Sequence, residues 1–118
     1  MFNFEKLEVW KKSIELPDTI YARTRTFPTE ERFGLTNQLR RAAVSISSNI
    51  VEGSSRSSKA DFARFIEIGT GSVFELASQM FIARRQGLLA EKNFQEIYAD
   101  AQEIGRMLSG LRNSLKTK

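Results

Sequence analysis

The chain contains no cysteine and no histidine. Without cysteine there is neither a disulfide nor a thiolate metal site, a composition compatible with a reducing cytoplasm. Without histidine, the usual general base near neutral pH is gone. So are the commonest metal ligand and any Ser-His or Cys-His nucleophile pair. No apolar run approaches the roughly 20 residues that a membrane-spanning helix needs. The opening run MFNFEKLEVWKK has acidic residues among its apolar ones and no small-residue cleavage site, so a secretory signal is not expected. A soluble cytoplasmic protein is the expectation. No P-loop, G-x-G-x-x-G or G-x-S-x-G occurs, and serines without a base are weak nucleophiles. A di-iron bundle needs paired Glu-x-x-His motifs, which a chain without histidine does not have. The residues therefore point to a non-enzymatic protein with no cofactor and no metal.

What is present is helical periodicity. A chain of 118 residues makes one domain and buries about two-thirds of its unfolded surface. Two prolines and seven glycines stand mostly where helices would end, dividing the chain into four amphipathic segments. The first spans about Glu5 to Thr26, with Leu7, Trp10, Ile14, Tyr21 and Thr24 along one side. Pro17 lacks the N–H that would bond the Ser13 carbonyl, which predicts a kink or break near Leu16 and Pro17.

The second segment opens at Thr29 as N-cap, with Glu30 and Glu31 in its first turn. It runs to about Glu52, where Gly53 is expected as a left-handed C′ residue. Inside it, Val44-Ser45-Ile46-Ser47 alternates like a strand. The stripe Leu35, Leu39, Ala43, Ile46, Ile50 nevertheless continues through it without a turn signal, so the prediction is helix. Ala42, Ala43, Ser45, Ser48 and Asn49 mark close approach of a neighbouring backbone, with serine hydroxyls bonding back one turn.

Ser58 and Asp61 form a capping box for the third segment. Its stripe Phe62, Ile66, Gly69, Val73, Leu76, Met80, Ala83 lasts until Gly87, over about 28 residues or roughly 40 Å. The Gly69-Thr70-Gly71-Ser72 run within it marks tight helix packing. The fourth segment keeps a three-four alternation through Phe94, Ile97, Ala101, Ile104, Leu108, Leu111 and Leu115, the seam of a bundle packed at small angles. Short connections make successive helices antiparallel neighbours, so the predicted fold is all-α, a single up-down-up-down four-helix bundle.

Two features exceed what a bundle needs. Phe74, Phe81 and Leu88, seven apart, point away from the main stripe of the third segment. A helix apolar on two sides usually has two partners, so these residues are expected to form a homo-oligomer interface. The alternative is a broad core contact with the kinked first segment or with Phe2 and Phe4. The second feature is charge, at net +4. Arg32, Arg40, Arg41, Arg56, Lys59 and Arg64 face only Glu52 and Asp61 in the same stretch. Arg106, Arg112, Lys116 and Lys118 cluster with no acid after Ile104. Arg56 and Lys59 flank a helix start, where a phosphate sits well. Arg40 and Arg41 diverge by about 100° and cannot both be buried on one neighbour. Each either contacts phosphate or pairs across the bundle with Glu52, Glu67 or Glu75. The basic clusters lack interleaved exposed aromatics, which favours phosphate contact over base stacking.

Four runs carry a likeness: FEKLEVWKKS at Phe4 to Ser13, FPTEERFGL at Phe27 to Leu35, QLRRAAVSISSNIVEG at Gln38 to Gly53, and GSVFEL at Gly71 to Leu76. Together they resemble the bacterial four-helix-bundle family typified by proteins encoded within intervening sequences of large-subunit ribosomal RNA genes. The resemblance covers nearly the whole chain and implies a bundle that assembles as a ring-like homopentamer. A related branch, the accessory variability determinant of diversity-generating retroelements, is basic, binds nucleic acid and partners a reverse transcriptase. Arg40, Arg41, Asn49, Glu52, Gly53 and Arg56 match the family pattern, and Pro17 departs from it. Two functions fit the residues best at this stage, ahead of a small-ligand site in the bundle interior. One is a homo-oligomer that binds structured or single-stranded RNA, or an RNA–DNA hybrid, with little base specificity through Arg40, Arg41, Arg56, Lys59 and Arg64. The other is a protein-interaction scaffold that docks a partner such as a reverse transcriptase.

Overall fold

In the computed structural model, which describes residues 1–116, three long helices dominate: α3 (Leu35–Ser54), α4 (Lys59–Arg85) and α5 (Glu91–Lys116). The fourth position of the bundle is filled by two short helices, α1 (Glu8–Ser13) and α2 (Leu16–Thr24). Single 3-10 turns at Asn3–Lys6 and Thr29–Glu31 precede α1 and α3. The chain breaks at Ile14 and Glu15, just ahead of the predicted kink, and Pro17 lies in the first turn of α2, where a missing N–H is tolerated. The break resets the helical phase. Val9, Ser13, Leu16, Ile20 and Thr24 are buried, whereas Ile14 and Tyr21 of the expected stripe are exposed.

The start and end of α3 also differ from expectation. Thr29 opens only the 3-10 turn, and the long helix begins six residues later behind Gly34, with Glu31 Oε1 accepting from the Leu35 N–H at 3.3 Å. Gly53 is not a left-handed cap. The helix continues to Ser54, and among the described residues only Gly87 has positive φ. Gly53 serves close packing instead: a Cβ there would lie 2.8 Å from Phe62 Cδ1 and 2.9 Å from Phe65 Cβ. The small-residue seam holds in part. Gly69 approaches Asn49 and Ile46, and Ser45 Oγ meets Ser72 Oγ at 2.9 Å across α3 and α4, whereas Gly71 of the same run has nothing within 4 Å of an added Cβ. The serines that donate back to carbonyls one turn earlier are Ser47 and Ser54, outside the seam residues expected to do so.

Ser58 caps α4, its Oγ accepting from the Asp61 N–H at 3.1 Å. At the other end Gly87 adopts φ +76°, its N–H donates to Arg84 O, and the Leu88 N–H donates to Ala83 O. This is a Schellman stop with Leu88 folded back onto the core. The core lies where the stripes of α3, α4 and α5 meet. Leu39, Ile46, Ile50, Ile66, Leu76, Met80, Ile97, Ile104 and Leu108 are all fully buried there.

Cross-links fix the directions. Gln79 bonds Gln38 while Gly53 meets Phe62, so α3 and α4 are antiparallel. Arg84 pairs with Glu91, and Arg112 with Glu67, across α4 and α5. Lys12 sits between Asp100 (3.5 Å) and Glu103 (3.7 Å), and Arg23 pairs with Glu96 at 3.1 Å, so the α1–α2 arm runs against α5. The molecule is an all-α four-helix bundle, 48 Å long and about 20 Å across.

Asp100 foremost, then Glu103, holds the Lys12 ammonium above its ordinary pKa of 10.5. A raised folded-state pKa contributes stability that is complete below the unfolded value and is lost as pH rises through the folded one. Lys12→Met is therefore expected to melt below the parent at neutral pH, with the gap closing as pH rises through the raised Lys12 value. Thermal melts of both proteins along an alkaline pH series check this. A gap that stays constant through the alkaline series would refute the clamp.

Candidate nucleic-acid interface

The exposed flank of α3, opposite its buried stripe, forms a groove of about 840 Å³. Arg32 and Phe33, from the turn before α3, make one end. Asn37, Arg40, Arg41, Val44 and Ser48 run along its length, and Tyr21 of α2 forms a wall. No carboxylate lines it. Arg40 is half-buried and fixed: its Nε donates to Thr24 Oγ1 at 3.0 Å, and its guanidinium lies 4.4 Å from the centroid of the Tyr21 ring. The Thr24 hydroxyl itself donates to Ile20 O at 2.7 Å, so the anchor is held in turn by its own helix. Arg40 pairs with none of Glu52, Glu67 or Glu75; Glu52 pairs with Arg56, Glu67 with Arg112, and Glu75 accepts from Gln79. Arg41 is exposed, and among the described residues no carboxylate pairs with Arg32, Arg40 or Arg41. Thr36, only 7% exposed, lines the groove with an Oγ1 that has no hydrogen-bond partner.

Phe33 is 81% exposed, with the Arg32 guanidinium 4.7 Å from its ring centroid. The sequence reading expected basic clusters without exposed aromatics, and this residue corrects it. Its signal was present in the chain: a large aromatic in a connection, outside every helical stripe and next to an arginine.

The other predicted cations lie elsewhere. Arg56, Lys59 and Arg64 gather at the α3–α4 turn, about 20 Å along α3 from Arg41. Arg56 pairs with Glu52 at 3.3 Å and Arg64 with Asp61 at 3.8 Å, and both guanidiniums flank the Phe65 ring. Asp61 already supplies negative charge to the first turn of α4, which weakens that turn's attraction for a phosphate. Lys59 there is exposed and has no ion pair among the described residues. In the C-terminal cluster, Lys118 lies outside the described residues.

Phe74, Phe81 and Leu88 do not form one stripe, because α4 ends at Arg85 and Leu88 follows the Schellman turn. Phe81, 42% exposed, packs edge-on against Phe94 at 5.0 Å and Tyr98 at 6.2 Å. Arg84 lies over Phe81 and Phe94. The partners are residues of α5, not Phe2 or Phe4; Phe2 stacks on Phe4, which meets Trp10 edge-on. Phe74 remains 72% exposed beside a groove of about 510 Å³ floored by Ala77, Ala101 and Gly105.

A family model described as 23S rRNA-intervening sequence protein matches residues 5–110. The chain belongs to that family. No curated protein matches it. Among solved structures it is similar to a protein of unknown function from the S23 ribosomal protein family of Bacteroides thetaiotaomicron VPI-5482. That likeness has a TM-score of 0.82 and 24% identity, covering 89% of this chain and 95% of the other. At that identity the likeness speaks for the fold, so the same bundle is built from a largely different sequence. The description of the 23S rRNA-intervening sequence family names no reaction. No helix among the described residues is long and apolar enough to cross a membrane.

Proposed function

We propose that the protein is a non-enzymatic, homo-oligomeric nucleic-acid-binding protein that takes RNA or an RNA–DNA hybrid with little sequence preference. The observation that carries this reading is the groove of Arg32, Arg40 and Arg41, three guanidiniums with no carboxylate partner around a surface with no acidic lining. Elsewhere Arg23, Arg56, Arg64, Arg84 and Arg112 are each neutralised by a neighbour, whereas this groove gathers three arginines that are not. Guanidiniums suit phosphate oxygens because their planar donor fork fits two of them at once. Contacts to backbone phosphate carry no base information, which accounts for the expected low specificity.

The exposed Phe74 and its small-residue groove support self-association, and an oligomer repeats the basic groove once per copy. The resemblance noted above suggests five copies. The same apolar groove also favours a second reading, an accessory subunit docking a protein such as a reverse transcriptase. On that reading, charge reversal at Arg40, Arg41 and Arg56 abolishes capture of the partner while nucleic acid is never bound.

Fluorescence anisotropy with labelled RNA over a salt series tests the first reading, with light scattering on the same samples reporting assembly. Affinity is expected to fall steeply with salt, and Arg41→Gln to reduce the log–log slope by about 0.7–0.9. Binding that is flat in salt, or absent at low ionic strength, would remove the nucleic-acid assignment.

A further inference from the structure

We infer that the α3 groove selects a single strand over a duplex, stacking one unpaired base on Phe33 while adjacent phosphates rest on Arg40 and Arg41. This rests on the nucleic-acid reading above and narrows its ligand.

Three observations converge. Phe33 stands 81% exposed at the end of the groove with Arg32 against its ring, so a planar cation lies beside the aromatic surface and the rest of that surface faces water. A flat aromatic group completes such an arrangement by stacking, and every base supplies one regardless of sequence. In a duplex the base faces are already covered by their neighbours, and only unpaired bases are free to turn outward onto an aromatic side chain.

The second observation is shape. The arginines line an open groove of about 840 Å³ along α3. A flexible strand can follow such a groove and bring successive phosphates to its arginines, whereas the phosphates of a rigid duplex keep a fixed spacing.

The third is how the polar groups are set. Arg40 is locked by Thr24 and Tyr21, which leaves its terminal nitrogens to the groove, while Arg41 is free to adjust. One fixed and one adaptable cation suit successive phosphates of a strand with variable spacing. At the floor, the Thr36 hydroxyl is more than nine-tenths buried and unpartnered. A sugar hydroxyl or phosphate oxygen reaching into the groove would satisfy it after a turn of its side chain, giving that orphaned group a partner the fold does not supply.

The test uses the full chain and labelled RNA strands of about a dozen nucleotides, free or annealed to complementary RNA or DNA, at low salt, by anisotropy. The parent is expected to bind the free strand at least about ten-fold more tightly than either duplex. Phe33→Ala is expected to weaken the free strand by about 5- to 150-fold, as the loss of one base stack does. It should leave duplex binding and the melting curve unchanged, and Phe33→Tyr should restore strand affinity. Equal affinity for strand and duplex, or a Phe33→Ala protein that binds the strand normally, overturns this inference and leaves the proposed function standing. Binding of neither form overturns both. If Phe33→Ala instead changes the mass seen by light scattering while strand affinity holds, Phe33 belongs to a contact between copies and the inference fails.

Discussion

Gly53→Ala is expected to destabilise the bundle by about 1–3 kcal/mol, or roughly 4–12 °C in Tm, although alanine is the better helix former. The added Cβ has no room. It would sit 2.9 Å from Phe65 Cβ and 3.2 Å from Phe62 O, atoms tied to the backbone of α4, as well as 2.8 Å from the Phe62 ring. A ring edge can swing aside, but a carbonyl and a Cβ move only if α4 moves. Here the two helices are joined by the short run from Ser55 to Ser58, so they have little freedom to separate. Gly71→Ala is the matching control. Gly71 lies within α4 with nothing within 4 Å of a new Cβ, so the same substitution there is expected to be neutral or stabilising by up to about 1 kcal/mol. Urea unfolding followed by circular dichroism compares the two. Equal midpoints for both variants would show that the contact at Gly53 is not what confines that residue.

Leu76→Ala is expected to have the largest effect of any single truncation considered, a loss of about 2–5 kcal/mol. Leu76 is fully buried in the cluster that also holds Ile46, Met80 and Ile104. Truncation loses the transfer energy of the removed carbons and leaves a cavity that the long, mutually braced helices cannot collapse around. The neighbouring helix faces are held apart at fixed spacing by contacts such as Ser45–Ser72 and Arg112–Glu67. Val44→Ala, a similar change at an exposed site on α3, is expected to shift stability by less than about 0.5 kcal/mol. The comparison is made by denaturant midpoints at constant m-value. A Leu76→Ala midpoint indistinguishable from that of Val44→Ala would mean that the core is not organised as described.

The bundle was legible wherever a long uninterrupted helix let its period accumulate. Phe94 to Leu108 along α5 and Ile66 to Ala83 along α4 are buried as their spacing predicted. Legibility failed where the phase was reset. Ile14 and Tyr21 were assigned to the buried stripe because nothing in EVWKKSIELPDT marks how far the chain turns at Ile14 and Glu15. Glycine was ambiguous at Gly53, since a C′ residue and a close-packing residue look alike until the neighbouring helix is placed. At Gly87 the same signal was correct. At the basic sites, the local pairs Glu52–Arg56 and Asp61–Arg64 follow from helical spacing and were open to reading in advance. The clamp of Thr24 and Tyr21 on Arg40 was not, because it depends on the rotation of α2 after the break. Phe33 was passed over because helical periodicity says nothing about residues between helices.

The N-terminal arm is divided into pieces of six and nine residues. Helices that short do not persist by themselves in water, where about 12–15 residues is the lower limit for a marginal one. They depend on packing against α3 and α5. Tyr21 and Thr24, the wall and anchor for Arg40, belong to this dependent part, so any opening of the arm would release the guanidinium that it holds in place. A cation whose aim depends on the least self-sufficient stretch of chain turns the tightness of that arm into a control on the groove beside it.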